Sequence, residues 1–250
     1  MKIGTYNIDE IYQGDCIELM KALPDGCIDA VITDPPYGTL SCSWDLVIPF
    51  EPMWEQLKRI TKPNAAIVLF GSQPFTSALI MSNIKMFKYE WIWNKKKGGN
   101  IFNLNRQPYK IHENIIVFSK NKHTYFPIME SRRLRTSKTY SKSDALGIKN
   151  YGDERTYSEK YPQSIIEISN ANQLKRHHPT QKPVALIQYL IMTYTNKGDL
   201  VLDFTIGSGT TAVAAHKTGR KYLGFELSDE YFDIAKNRIR DETAQLSLEL

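Results

Sequence analysis

The chain has 250 residues, 42% of them hydrophobic, which suits one large α/β core with a modest insertion, and no stretch approaches the about 18–20 apolar residues of a membrane span. The N-terminus lacks a secretory apolar run, and Cys16, Cys27 and Cys42 lack the paired spacing of a zinc site, so reduced thiols in a cytoplasmic protein are expected. The net charge of +5 is uneven: residues 94–176 hold 17 Lys/Arg against 7 Asp/Glu, the rest 15 against 20, and a basic middle between acidic ends points to a polyanionic partner.

In chain order, the apolar run 27–33 predicts a short strand ending at Asp34. Residues 49–60 carry helical spacing (Phe50, Met53, Trp54, Leu57, Ile60), and 65–71 form a near-continuous apolar strand of the kind buried on both faces of a parallel sheet. Two further strands are predicted at 89–93 and 113–118. From 121 to 176 the pattern decays into Ser, Thr, Tyr, Lys, Arg and Asn, too long for an ordinary loop. Interleaved aromatics (Tyr125, Phe126, Tyr140, Tyr151, Tyr157, Tyr161) favour an inserted recognition module over a disordered segment. Regularity returns with a helix over 183–194, with Pro183 suited to its first turn, and a strand over 199–204. A small-residue helix over 210–217, a strand over 221–226 and an amphipathic helix over 229–239, N-capped by Ser228, complete the chain. The expected fold is α/β: a Rossmann-like, mostly parallel sheet with helices on both faces. Its core is contributed by 1–120 (catalytic half) and 177–250 (cofactor half), interrupted by a recognition insertion at 121–176.

Two strand ends carry chemistry. Asp34-Pro35-Pro36-Tyr37 follows the first strand. Methylating an exocyclic amine requires acceptors near its hydrogens, because the nitrogen lone pair is delocalised into the ring. Asp34 offers a carboxylate, the Pro35 carbonyl a second acceptor, the prolines stiffness, and Tyr37 a face on which an extruded base can stack. Gly207-Ser208-Gly209-Thr210 follows a later strand and opens a helix, which suits close approach to a nucleoside-like cofactor. Glu226 ends the next strand, where an acid can accept from both ribose hydroxyls, and Asp203 can serve the cofactor's polar tail or order the loop. The loop lacks the GK[ST] of a phosphate-binding loop and the full GxGxxG of a dinucleotide fold.

Together these motifs resemble the amino-directed DNA methyltransferases of the β arrangement, in which the catalytic motif precedes the recognition region and the cofactor motif comes last. The resemblance covers nearly the whole chain. Gly14-Asp15-Cys16 is similar to that family's acidic strand end beside the cofactor adenine. The segment 178–183, with Lys182, is similar to the one opening the helix over the cofactor's methionine part. Asp203 to Thr211 is similar to the cofactor loop, with one departure: the aromatic, Phe204, stands one position early and the usual proline is absent.

The resemblance implies S-adenosylmethionine as cofactor, double-stranded DNA as partner and direct methyl transfer without a covalent enzyme intermediate. Asp at the first motif position implies adenine N6, with cytosine N4 as the near alternative. Lys95, Lys96, Lys97 and Arg106 are expected along the DNA backbone, and Arg132, Arg133 and Arg135 at phosphates or guanine edges. A homodimer and a cognate restriction endonuclease, in a bacterial or phage setting, are compatible with the family but unmarked in the sequence. His177-His178 lacks nearby further ligands, so no metal is expected. Rival classes are an RNA- or protein-directed methyltransferase, a small-molecule methyltransferase, which would need no long basic insertion, and a non-catalytic DNA-binding module. The last would have little reason to keep Asp34 and Glu226 at matched strand ends.

Overall fold

A strand buried on both faces sends alternate side chains into two cores. The apolar runs of this chain are therefore the centre of its fold. The computed structural model describes residues 1–39, 45–138, 154–170 and 181–248. Its elements are β1 (Lys2–Ile3), β2 (Tyr6–Asn7), β3 (Glu10–Gln13), α1 (Cys16–Lys21), β4 (Ile28–Thr33), α2 (Phe50–Ile60), β5 (Thr61–Gly71), α3 (Phe75–Ser82) and β6 (Phe87–Asn94). A 3-10 turn (Ile101–Asn103), β7 (His112–Phe118), β8 (Glu130–Lys138), β9 (Glu154–Lys160) and β10 (Ile165–Glu167) follow. The chain ends with α4 (Val184–Tyr194), β11 (Leu200–Asp203), α5 (Thr210–Lys217), β12 (Lys221–Glu226) and α6 (Asp229–Leu248). Cys42, Tyr140, Tyr151 and His177-His178 lie outside the described residues.

Two compact units are present: Met1–Phe126 with Ser164–Leu250, and Pro127–Gln163. In the first, eight strands form one sheet in the order β10-β6-β7-β5-β4-β11-β12-β3. Every pairing is parallel except those of β7, which runs antiparallel to both β5 and β6. In β5, Ala66, Val68 and Phe70 face one core while Ile67 and Leu69 face the other. The first core is closed by α4 and α5 (Leu186, Leu190, Ile191, Ala212, Val213) and the second by α1, α2 and α3 (Met20, Trp54, Leu57, Leu79). Each fully buried aliphatic side chain in these layers contributes about 1.5–3 kcal/mol.

The structure extends the last helix to Leu248 and adds α1, α3, β3 and β10, none of which sequence periodicity indicates. It also moves Pro183 one place outward: its ψ of 134° is extended, so it is the N-cap of α4 rather than a first-turn residue. Its carbonyl still accepts from Leu186 and Ile187 and starts the helix. The second unit is an antiparallel hairpin of β8 and β9, whose register sets Arg135 opposite Tyr157 and Glu130 opposite Lys160. Lys160 and Glu130 form an ion pair at 2.8 Å. Among the described residues no helix is long and apolar enough to cross a membrane.

Candidate active site

β4 lies between β5 and β11, and the chain passes from β4 to one side and returns by β11 and β12 on the other. A crevice opens where strand order reverses in this way, beyond the carboxyl ends of the strands. The two sequence motifs occupy it, because Asp34 follows β4 and the 204–209 loop follows the adjacent β11. Thr205 ties the two together. Its hydroxyl donates to the Asp34 carbonyl at 3.1 Å and lies 2.6 Å from the Thr33 hydroxyl.

Both oxygens of the Asp34 carboxylate are held. The Tyr37 hydroxyl donates to Oδ1 at 2.5 Å and the Lys182 ammonium to Oδ2. Lys182, expected on the cofactor side, is thus placed on Asp34, and its Nζ lies 3.3 Å from Glu113 Oε2. Glu113 Oε1 takes Lys95 at 2.8 Å, while its Oε2 is buried without a well-formed hydrogen bond. Two cations and two carboxylates therefore alternate in a chain from Lys95 to Asp34. Burial pushes the Asp34 carboxyl above its ordinary value, opposed by Lys182. Burial would also raise Glu113, but Lys182 and Lys95 outweigh it and hold that group low. Lys182 would be lowered by burial, yet the two carboxylates keep it firmly protonated. Burial and then the Asp34 charge raise Tyr37 well above its usual range, so it remains a hydroxyl donor.

The Asp34-Pro35-Pro36-Tyr37 turn is fixed from the other side by Asp45. Its carboxylate accepts the backbone N–H groups of Tyr37, Gly38 and Thr39 at 2.8, 3.1 and 2.7 Å. A carboxylate has about four lone-pair directions, so Asp34 can accept a further hydrogen bond without losing its present partners.

At the neighbouring strand end, Gly207 and Gly209 have φ of +53° and +80°, conformations that favour glycine, and Gly209 is the N-cap of α5. A Cβ at Gly207 would meet nothing within 4 Å, so the turn leaves its open side to the cavity. Glu226 Oε2 accepts the Gly207 N–H at 2.8 Å and Oε1 that of Ser228 at 2.9 Å. Arg238 braces the turn from α6, donating to the Ser208 carbonyl and to the Thr210 hydroxyl, both at 3.0 Å. Phe204, 1% exposed, is packed in the core beneath the loop. Asp15 caps α1 through the N–H groups of Ile17 and Glu18, and Gly14 N–H on the Glu226 carbonyl sets it beside the glycine turn. An open glycine turn with a carboxylate at the next strand end fits a nucleoside cofactor carrying ribose hydroxyls.

One cavity of about 1080 Å³ joins both halves, lined by Asp34–Tyr37, Glu113 and Lys182 on one side and Asp203–Ser208, Asp15 and Glu226 on the other. That exceeds the upper range of single-ligand pockets, about 1,000 Å³, and leaves room for a base beside a cofactor. Of the expected DNA contacts, Lys97 lines the rim, Arg106 is exposed, Lys96 pairs with Glu167, and Lys95 is taken up by Glu113. Arg132, Arg133 and Arg135 lie on β8 in the second unit. Glu113, Thr205, Asp45 and Arg238 are additions of the structure.

Asp203 accepts from the Thr33 hydroxyl at 2.6 Å and from Thr205 N–H at 3.1 Å, so it orders the loop. Burial, opposed by hydrogen bonds from Thr211 and Thr33, pushes its carboxyl up to about 6. A carboxyl raised on folding contributes stability below its unfolded value, and that contribution is lost as pH rises through about 6. Asp203→Asn, neutral at every pH, is therefore expected to gain stability over the parent by about 2–3 kcal/mol between pH 4 and pH 7. Denaturant melts at the two pH values read this directly, and a pH-independent difference would refute the assignment.

A family model described as DNA methylase, covering the N6 and N4 enzymes, matches residues 28–237. Over 244 residues the chain is 28% identical to the type II methyltransferase M.HpaI of Haemophilus parainfluenzae, covering 91% of this chain and 73% of that one. The M1.HpyAVI–S-adenosylmethionine complex is similar at a TM-score of 0.63 and 26% identity, covering 92% of this chain and 98% of that one. The fold is also that of the cytosine-N4-specific PvuII DNA methyltransferase, with a TM-score of 0.66 at 19% identity over 98% and 96% of the two chains. The family match runs from the strand before Asp34 into the helix that braces the glycine turn, and the chain belongs to the S-adenosylmethionine-dependent N6/N4 DNA methylases.

Proposed function

We propose that this protein methylates the N6 amino group of adenine in a base extruded from double-stranded DNA. The observation that carries this reading is Asp34, a carboxylate clamped at both oxygens, facing the same cavity as the Gly207–Glu226 turn. An aspartate in that position, rather than serine, favours adenine.

Asp34 accepts a hydrogen bond from the amino group and, with the Pro35 carbonyl, draws the nitrogen lone pair out of ring conjugation. Tyr37 and Lys182 keep the carboxylate at one angle, so little reorganisation is needed when charge develops on the amine. Tyr37, whose ring packs 5.1 Å from that of Phe75, has its hydroxyl committed to Asp34 and presents its remaining surface to the cavity. Bound at the glycine turn, S-adenosylmethionine supplies an electrophilic methyl group on a sulfonium. Glu226 would hold the ribose and Asp15 would face the adenine, while Ser208 and Thr210 shape the wall of the turn. Of the expected insertion 121–176, the part that forms the second unit, Pro127–Gln163 with β8 and β9, reads the target through Arg132, Arg133 and Arg135, whereas Ile165–Glu167 is a strand of the central sheet.

Glu226→Ala removes the acceptor of two backbone N–H groups as well as the ribose contact, and S-adenosylmethionine affinity is expected to fall by about 100-fold, since each hydrogen bond to a charged group is worth about 1.5–3 kcal/mol. Titration calorimetry checks this, and unchanged affinity would move the cofactor elsewhere. For the reaction itself, the protein is incubated with S-adenosylmethionine and unmethylated mixed-sequence DNA, and the DNA is digested to nucleosides for mass spectrometry. N6-methyladenine is the expected product. N4-methylcytosine would keep the site and overturn the base, and no methylated nucleoside would overturn the DNA reading.

A further inference from the structure

β6 runs parallel to β4, so its carboxyl end lies on the edge of the sheet that carries Asp34. From there residues 95–111 return the chain to the antiparallel β7, a far longer connection than the about 2–5 residues a hairpin needs. The loop is not slack. Lys95 N–H bonds the Ile111 carbonyl at 2.7 Å, and the Asn100 side chain spans the neck to the Pro108 carbonyl and the Lys110 N–H, both at 2.9 Å. The Tyr109 hydroxyl reaches the Gly98 carbonyl at 3.1 Å. Gly98 sits so close to the returning strand that a Cβ there would lie 2.5 Å from the Lys110 carbonyl oxygen.

This well-tied loop leaves its apolar tip largely exposed. Ile101, Phe102 and Leu104 are 62%, 97% and 48% exposed around the 3-10 turn. A neck stapled by side chains, with three large apolar groups held outward, is ordered for a purpose other than packing against its own protein. At the neck, Lys97, Gly98 and Gly99 line the cavity that holds Asp34, and Arg106 is exposed on the returning limb. Basic groups beside an apolar point match a duplex, in which a hydrophobic stack lies between two rows of phosphate.

We propose that the 98–110 loop is a wedge, with Phe102 entering the base stack of duplex DNA at the place vacated by the extruded target, while Lys97 and Arg106 engage phosphates on either side. An enzyme that acts on a base inside a duplex must compensate its unstacking, and Phe, Leu and Ile are side chains that proteins insert between base steps. The inference rests on the reading of this chain as a methyltransferase of bases in duplex DNA.

The test uses the full chain and an oligonucleotide duplex bearing the methylated sequence mapped from the product DNA. Methyl transfer is compared between the parent, Phe102→Ala and Phe102→Trp, on the paired duplex and on one with a mismatch opposite the target. Because a mismatched base is already poorly stacked and paired, the wedge matters less there. Phe102→Ala is expected to lose about tenfold or more on the paired duplex and at least about threefold less than that on the mismatched one. Phe102→Trp should recover most of the loss, and cofactor affinity should not change. A loss under tenfold, or one that the mismatch does not shrink, overturns the wedge. So does conversion of a dimer to monomers by Phe102→Ala, which would assign the tip to a second copy of the chain. A parent protein that binds S-adenosylmethionine yet methylates no DNA defeats the function reading instead, and is recognised before any variant is made.

Discussion

Asp34→Ala is expected to lower methyl transfer by about 10³-fold or more while S-adenosylmethionine affinity stays within a few-fold of the parent. In the proposed reaction the Asp34 carboxylate accepts from the target amine, and its preorganisation by Tyr37 and Lys182 disappears with it. Truncation also frees Tyr37 and leaves Lys182 with Glu113 alone. The cofactor turn should survive, because its links to this segment run through the Asp34 backbone carbonyl and the Thr33 hydroxyl rather than the Asp34 side chain. Single-turnover transfer of a labelled methyl group, with calorimetry for the cofactor, separates the two effects. More than a tenth of the parent's rate would remove Asp34 from the chemistry.

The second large effect is that of Lys182→Met. The Lys182 side chain is 9% exposed and stands between Asp34 and Glu113, so its loss leaves two partly buried carboxylates sharing only Lys95, which touches Glu113. Removing one partner of a buried ionic cluster costs about 3–5 kcal/mol of stability, more than the long apolar side chain of methionine restores. The pH profile reports the same interaction. Asp34 must be ionised to accept from the amine, so activity falls as pH drops through its carboxyl value, which burial already raises and Lys182 holds back. In Lys182→Met that restraint is gone, and the acid limb of kcat/KM is expected to move to higher pH. Adding Glu113→Gln removes the like charge and should return part of both the stability and the limb position, a coupling that a double-mutant cycle reads. An acid limb that stays in place in Lys182→Met would show that Lys182 does not act through Asp34.

These expectations rest on contacts between residues distant in the chain, and that distance separates what was legible in the sequence from what was not. β4, β5, β11 and β12 were readable because each is an apolar run that buries both faces, so composition alone announces a central parallel strand. Asp34-Pro35-Pro36-Tyr37 and the glycine turn were readable for a related reason. Backbone geometry at a strand end depends on the local residue types, and proline and left-handed glycine leave few choices.

The antiparallel course of β7 and the three-residue β10 were not readable, and the short β3 was indicated only through the resemblance at Gly14-Asp15. A strand's direction leaves no trace in its own pattern, and three or four residues are too few to show a period. The charge network was equally hidden. Glu113 looks like a polar leader to an apolar strand, Lys95 like one of three basic loop residues, and Lys182 like part of a motif 148 positions away from Asp34. Sequence by itself determined that this is an α/β protein with a carboxylate at the end of one central strand and a glycine turn at the end of its neighbour. Only the tertiary structure decided which cations hold that carboxylate, because burial and charge separation are set by strands brought together across the sheet and not by neighbours along the chain.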